Sequence, residues 1–370
     1  MKNILRTLIL GLAVSTTAWS QIMPLTAEPD GGNKKASVAE QIGIVKIAIT
    51  YSRPGVKGRE GKIWNTPVAH YGFVDQGHGT STAAPWRAGA NENTAISFSH
   101  PVQIEGKDLP AGTYGFFIAL GESESTLIFS KIYTSWGSFY YDEKQDALRV
   151  TVKNQTLDKS VEWLKYEFLD QTENSAVIAM SWEKRMIPFK VEVDRKGLQI
   201  AAFTNDFRTT RPYYDYIQAA QWCIANDTAL EQALAWIDRG IYFRIMGEKN
   251  FRSLSTKAAV LTKLNRTEEA KKVMDEALPM GAVLDVHFYG RQLLNQKEAK
   301  EAFKVFKLNY DRNPNQFTTN IGMTRGHSAV GEYKKALPFA RAALAQAPDQ
   351  RNKENVEIMI KKLEEGKDVN

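Results

Sequence analysis

The chain is poor in the residues that build most catalytic and metal centres. Among its 370 residues it has one cysteine, Cys223, and five histidines. A single cysteine excludes an internal disulfide framework and a zinc site with several cysteine ligands. His70, His78 and His100 have neither the HxH nor the HExxH spacing, so we expect surface histidines and no metal or other cofactor.

Long apolar runs and catalytic motifs are missing as well. After the first 20 residues, no apolar run reaches the ~20 residues that cross a bilayer, so no transmembrane span is expected. Ser81 and Ser138 lack the G-x-S-x-G context of a hydrolase nucleophile. Gly77–Thr80 is not followed by the lysine and helix of a phosphate-binding loop. We therefore assign no catalytic residue and favour a non-enzymatic protein over an enzyme.

The first twenty residues have the pattern of an export signal. Lys2 and Arg6 are followed by the apolar stretch Leu8–Val14 and then by small residues, Ala18 and Ser20, before Gln21. This order is typical of a secretory signal peptide over residues 1–20. It predicts a periplasmic or extracellular protein, for which nucleic acid is not an expected partner. A buried N-terminal helix is the alternative.

A β-domain is predicted over residues 41–196, after an N-terminal linker over residues 21–40. Short runs rich in β-branched and aromatic residues follow one another without amphipathic helices between them, which is typical of an antiparallel β-sandwich or barrel. The runs are Ile44–Tyr51, Thr94–Ser99, Thr113–Leu120, Ser125–Ser130, Ala147–Lys153, Val161–Leu169, Ser175–Trp182 and Ile187–Val193.

A helical repeat domain is predicted over residues 212–370, after a linker over residues 197–211. Ala233, Ala270, Ala302 and Ala336 recur in similar segments at spacings of 37, 32 and 34 residues. A period near 34 indicates repeated helical hairpins, although a generic helical bundle is the alternative. The last unit resembles a tetratricopeptide repeat at Gly331, Tyr333, Ala336, Ala343 and Pro348.

An ordered set of phrases in the β half resembles a known family. The phrases are Tyr51–Pro54, Val56–Arg59, Trp86–Glu92, Leu109–Tyr114, Ile128–Ser130, Trp136–Ser138, Tyr141-Asp142 and Asp146–Val150. They resemble the bacterial family called "domain of unknown function 2911" from about residue 41 to residue 193. The resemblance implies an exported β-rich domain, often beside helical repeats, and it implies no activity.

The phrase Trp86–Glu92 is the densest group of polar and aromatic side chains in the β half. A ring face for stacking, a guanidinium fork and amide or carboxylate oxygens suit a sugar or another small ligand. The alternative is a structural turn, in which Arg87 pairs with Glu92; we favour this turn, and expect breaking a buried pair to cost ~3–5 kcal/mol. The candidate ligand-binding residues are Arg53, Trp86, Arg87, Asn91, Glu92 and Trp136.

The helical half predicts a basic groove. Residues 205–370 have 26 lysines and arginines against 21 acidic residues, a net charge of +5. Counting back twelve residues from each alanine gives the register of the first helix of each pair. The groove-facing positions are then Asp215, Gln218 and Trp222; Arg252, Ser255 and Ala259; Leu284, His287 and Arg291; and Thr318, Ile321 and Arg325. Arg252, His287, Arg291 and Arg325 are the candidate groove residues, and guanidinium groups suit an acidic peptide or a C-terminal carboxylate.

The sequence thus favours an exported binding protein with a β-sandwich and peptide- or protein-binding helical repeats. The alternative is an envelope carbohydrate-binding or carbohydrate-processing protein that uses the Trp86–Glu92 segment.

The signal peptide gives a direct prediction. Protein recovered from its native envelope should have an intact mass that begins at Gln21, because the signal peptidase removes residues 1–20. A recovered protein that retains Met1 would contradict export through this signal.

Overall fold

The computed structural model describes residues 32–370, so the predicted signal peptide over residues 1–20 lies outside the described residues. The chain divides into two compact units, with the boundary between Arg195 and Lys196. The first unit is built of β-strands and the second of α-helices. Within residues 32–370, no helix is both long and apolar enough to span a membrane.

The β unit is a sandwich of two antiparallel sheets. One sheet has the strand order β1-β2-β3-β6-β7-β8 and the other has the order β5-β4-β10-β9. The strands are β1 (Lys34–Ile42), β2 (Val45–Arg53), β3 (Thr94–Phe98), β4 (Val102–Ile104), β5 (Lys107–Leu109), β6 (Gly112–Ala119), β7 (Glu124–Ser130), β8 (Asp146–Lys153), β9 (Gln155–Leu169) and β10 (Ser175–Glu192).

Aromatic side chains join the two sheets. Phe116 on β6 and Phe129 on β7 pack against Phe189 on β10, with ring centroids 5.6 and 6.1 Å apart. Tyr51 on β2 meets Tyr166 on β9 edge to face at 4.7 Å. Buried and partly exposed residues alternate along β3, whereas β6 is buried along most of its length. The buried faces of the two sheets meet in one core, as a sandwich requires, and the predicted antiparallel β-sandwich is confirmed.

Two expectations about the β unit are wrong. The N-terminal linker predicted over residues 21–40 is strand from Lys34 onward, because β1 pairs with β2 along its whole length as the edge of the sheet. Its polar composition hid it, since an edge strand has little to bury. The two runs predicted at Ser175–Trp182 and Ile187–Val193 form one strand, β10, in which the charged residues between them lie at a bulge around Glu183.

The second unit is an array of helical hairpins. Its helices are α1 (Arg195–Asp206), α2 (Tyr213–Asn226), α3 (Leu230–Tyr242), α4 (Phe251–Lys263), α5 (Thr267–Ala277), α6 (Val283–Asn295), α7 (Ala299–Arg312), α8 (Phe317–Ala329), α9 (Tyr333–Ala345) and α10 (Gln350–Glu364). The pairs α2/α3, α4/α5, α6/α7 and α8/α9 each have a short link, and α10 follows the last pair.

The links show that the pairs are repeats of one design. In the last three pairs the middle residue of the link is left-handed, at Asn265, Lys297 and Gly331, with φ of 60°, 64° and 78°. Each phase-marking alanine is the fourth residue of the second helix and is buried, which lets the paired helices approach closely. The predicted tetratricopeptide-like array is therefore confirmed.

The linker predicted over residues 197–211 is wrong for most of its length, because α1 occupies residues 195–206. Phe203 on α1 packs edge to face on Trp222 and Trp236, at 5.7 and 5.9 Å. Phe207, just after α1, stacks on Tyr216 at 4.4 Å. The apolar spacing of this segment is helical, so the segment belongs to the array as its first helix.

A single aromatic ring fills the centre of the third and fourth pairs. Phe306 on α7 is fully buried. A Cβ atom at Gly290 on α6 would lie 2.5 Å from its ring, and one at Gly322 on α8 would lie 2.9 Å from it. Any larger residue at either position would clash with the ring, so the site requires glycine at both. Phe306 thereby packs α6, α7 and α8 together.

Phe306 should dominate the stability of this part of the array. The variant Phe306→Ala should lose about 3–5 kcal/mol of unfolding free energy, because the helices cannot close the space left by the ring. Urea denaturation followed by far-ultraviolet circular dichroism would measure it. The matched control is Phe288→Ala, since Phe288 on α6 is 58% exposed; equal losses in the two variants would contradict this account.

Candidate functional site

The structure divides the Trp86–Glu92 phrase between two cavities of the β unit. Trp86, Arg87 and Asn91 line a small cavity of about 250 Å³. Glu92 lines a different one, of about 500 Å³, together with Trp136. Left-handed backbone at Ala88 and Asn91 turns the chain between them, so neighbouring side chains of the phrase point into different cavities.

Arg87 holds the local fold together. Its Nη1 donates to the backbone carbonyl of Asn91 at 2.9 Å, and its guanidinium lies 5.1 Å from the ring centroid of Phe139. A Cβ atom at Gly137 would lie 2.5 Å from the guanidinium carbon, so the loop closes tightly over it. Burial lowers the pKa of Arg87. Arg87 is thus a packed, structural side chain.

The expected ion pair between Arg87 and Glu92 is wrong. Glu92 pairs instead with Lys35 on β1, at 3.2 Å, and its second oxygen accepts a hydrogen bond from Ser52 at 3.2 Å. Burial raises the pKa of Glu92, but the hydrogen bonds from its own backbone N–H, Lys35 and Ser52 and the charge of Lys35 together lower it by more, so the net shift is downward. A carboxyl group that stays ionised at neutral pH is a poor proton donor, which weakens the enzymatic alternative.

Arg53 and Trp86 contribute to the packing of the sandwich. Arg53 Nε donates to the carbonyl of Leu164 on β9 at 2.7 Å and so ties β2 to the other sheet. Trp86 is 3% exposed and stacks parallel to Trp182 at 6.3 Å. Its ring face is therefore not available for a sugar.

We call the second cavity of the β unit the aromatic cavity. Its lining includes Lys35, Ser52, Glu92, Tyr133, Ser135 and Trp136. Tyr133 and Trp136 are 46% and 47% exposed, in contrast to the buried rings of the sandwich core. Of the six candidate residues of this unit, the structure brings only Glu92 and Trp136 together here.

The helical unit has a cavity of about 550 Å³, which we call the cationic groove, between α6, α8 and α10. The expected groove positions of the third and fourth pairs all line it, including His287, Arg291 and Arg325. Arg252 is exposed on α4 and does not line it. Ser255 and Ala259 line a separate cleft of about 510 Å³ that involves α4 to α7.

The register expected for the first pair is wrong by one residue. The helix α2 has 14 residues, whereas α4, α6 and α8 have 13 each. Because of the extra residue, counting back twelve residues from Ala233 gives Gln221, one residue too far along α2. The buried small residue of α2 is Ala220. The positions Asp215, Gln218 and Trp222 are shifted with it.

Sequence reasoning missed the third wall of the cationic groove. Arg351, Asn355 and Lys362 on α10 line it opposite the arginines of α6 and α8. The available signal was the amphipathic segment after Pro348, which continues the repeat as a first helix without its partner.

The charges in the cationic groove repel one another. Burial, together with the neighbouring positive charges of Arg325 and Arg291, lowers the pKa of His287 to about 4. Burial and the charge of Arg291 likewise lower the pKa of Arg325, while the charge of Asp368 raises it by less. Arg325 Nε is buried and has no hydrogen-bond partner among the described residues. An anion in the groove would relieve this repulsion.

The histidines of the β unit and the cysteine do not gather into a metal site within the described residues. His70 contacts Gln76, and His100 contacts Ser99. Over residues 32–370, no three histidine, cysteine, aspartate or glutamate side chains gather in a way that could hold a metal ion. Cys223 is buried in α2, and burial raises its pKa to about 11, so it is a packed thiol.

Comparison with known families supports the resemblance of the β unit. Residues 33–191 match the model of a family described as "Protein of unknown function (DUF2911)". The match covers less than half of the 370-residue chain. The resemblance expected over about residues 41–193 is confirmed for the β unit and brings no activity with it. No curated protein matches the chain.

Three solved structures of MamA proteins are similar to part of the chain. "MamA RS-1 ArsTM double mutant" is 16% identical over 42% of this chain and 89% of its own, with a TM-score of 0.30. "MamA 41-end from Desulfovibrio magneticus RS-1" is 15% identical over 41% and 93%, with a TM-score of 0.28. "MamA MSR-1 C2" is 10% identical over 42% and 95%, with a TM-score of 0.26. At these TM-scores the likeness supports no conclusion about this chain.

The two charged residues of the phrase should differ in their effect on stability. Glu92→Gln should change the unfolding free energy by less than about 1 kcal/mol, since Glu92 and Lys35 form a partly exposed pair. Arg87→Ala should cost roughly 1–3 kcal/mol, because the carbonyl of Asn91 loses its donor. Thermal denaturation of both variants would measure this; a larger loss for Glu92→Gln than for Arg87→Ala would contradict it.

Proposed function

We propose that the protein is an exported binding protein whose helical repeats hold an acidic peptide segment in the cationic groove. The observation that carries the proposal is the composition of the groove wall. Arg291, Arg325, Arg351 and Lys362 line it from three helices, and among the described residues that line it there is no aspartate or glutamate.

Arginine is well suited to such a ligand. Its planar guanidinium can bind a carboxylate through two parallel hydrogen bonds. Arg325 donates from Nη1 to the side-chain oxygen of Asn370 at 3.2 Å, while its buried Nε is unpartnered within residues 32–370. Arg291 is exposed. The two guanidinium groups therefore have donors left for a ligand carboxylate.

The rim of the groove favours a peptide over a small inorganic anion. Leu284, Phe288 and Ile358 line the groove and are 55%, 58% and 57% exposed. Large apolar side chains that stay exposed around a polar centre are typical of interaction surfaces. A segment that alternates acidic and apolar side chains would match both the charges and the rim.

The proposal includes export, which is inferred from the signal-peptide pattern of residues 1–20 alone. In that case the partner is a periplasmic or extracellular protein. The carbohydrate alternative concerns the β unit by itself.

The groove predicts a charge-dependent interaction. The probe is a fluorescein-labelled synthetic peptide pool in which glutamate alternates with leucine or phenylalanine. We expect fluorescence polarisation to show binding that weakens with salt. The double variant Arg291→Ala/Arg325→Ala should bind more than about tenfold more weakly, because each charge-assisted hydrogen bond contributes about 1.5–3 kcal/mol.

Two controls make this test specific. Arg252→Ala removes an arginine that lies outside the groove and should bind as the unaltered protein does. A matched pool with glutamine in place of glutamate should bind far more weakly. Equal binding of the two pools, or a double variant that binds like Arg252→Ala, would show that the groove is not an acidic-peptide site.

A further inference from the structure

The aromatic cavity of the β unit is a second concave site, and its chemistry differs from that of the cationic groove. Its volume of about 500 Å³ is in the range of small-ligand pockets. One wall has exposed aromatic rings and the other has paired charges and hydroxyl groups. It therefore needs a ligand with one apolar face and several polar edges.

The aromatic wall is held rigidly in place. The buried side chain of Asn93 donates from Nδ2 to the carbonyl of Tyr133 at 3.3 Å and accepts from the backbone N–H of Ser135 at 2.8 Å. The backbone N–H of Asn93 donates to the carbonyl of Ser135 at 3.0 Å. Glu92 and Trp136 form a β-bridge at the same place. Tyr133 and Trp136 are thus exposed on a loop that hydrogen bonds hold in place. Ligand binding therefore does not lose free energy to ordering of that loop.

The polar wall has no net charge. Lys35 and Glu92 neutralise each other at 3.2 Å, and Ser52 donates to Glu92. The carboxylate keeps acceptor capacity, and the ammonium group keeps donors. Ser135 lies in the loop between Tyr133 and Trp136, and its buried Oγ has no hydrogen-bond partner among the described residues. Alternating donors and acceptors at fixed positions match the hydroxyl groups of a sugar.

We propose that the aromatic cavity binds a neutral sugar residue of an oligosaccharide. The apolar C–H face of the pyranose ring packs on Trp136 and Tyr133, and its hydroxyl groups bond to Lys35 and Glu92. The balanced Lys35–Glu92 pair discriminates against a strongly anionic ligand, in contrast to the cationic groove. This site is independent of the proposed peptide function, since it lies within the β unit alone.

The probes are neutral trisaccharides: cellotriose, maltotriose, chitotriose and mannotriose, with the acidic trigalacturonic acid beside them. Saturation-transfer difference NMR on the full chain should detect at least one neutral probe, and titration should give its affinity. Trp136→Ala should weaken that affinity at least about tenfold, or about 1.4 kcal/mol. Glu92→Gln should weaken it less while leaving the melting temperature nearly unchanged.

The matched control is Tyr140→Ala, because Tyr140 is 56% exposed in the same unit but does not line the cavity. It should leave the affinity within twofold. Absence of transfer to every neutral probe, binding of the acidic probe alone, or equal losses in Trp136→Ala and Tyr140→Ala would each overturn the proposal. Loss of peptide binding in Arg291→Ala/Arg325→Ala with sugar binding intact would separate the two sites.

Discussion

The cationic groove depends on how Phe306 packs. This fully buried ring occupies the space left by Gly290 and Gly322, and so it draws α6, α7 and α8 together. The ring of His287 lies 5.6 Å from it and extends the same packing to the groove floor. Close helix packing by small residues thus places Arg291 on α6 and Arg325 on α8 around one concave surface, where their charges add.

The groove holds like charges near one another in a partly buried place. This arrangement is unfavourable without a ligand: burial first, and repulsion between the positive charges second, lower the pKa values of His287 and Arg325. Folding stability comes from elsewhere in the array, chiefly from buried alanines and aromatic rings. A surface that costs stability and has exposed apolar side chains around it is typical of a binding site.

The β unit uses its aromatic side chains in two different ways. Its core rings are buried between the two sheets, whereas Tyr133 and Trp136 are left exposed on a loop that Asn93 fixes. Arg87 closes the neighbouring loop on Gly137 and Phe139. The segment Trp86–Glu92 is therefore not one site. It is mainly structural, and of its residues only Glu92 lines the aromatic cavity.

Local pattern in the sequence determined the two units, the sandwich and the repeat phase, because strand-forming runs are properties of single elements and the spacing of Ala270, Ala302 and Ala336 is a property of successive hairpins. It also placed Arg291 and Arg325 on one face, since equal helix lengths preserve the register. It failed for α2, which is one residue longer, and for the edge strand β1, which buries little. Only the tertiary structure decided that Glu92 pairs with Lys35 and that α10 completes the groove, because these contacts join residues that are distant along the chain and obey no local period.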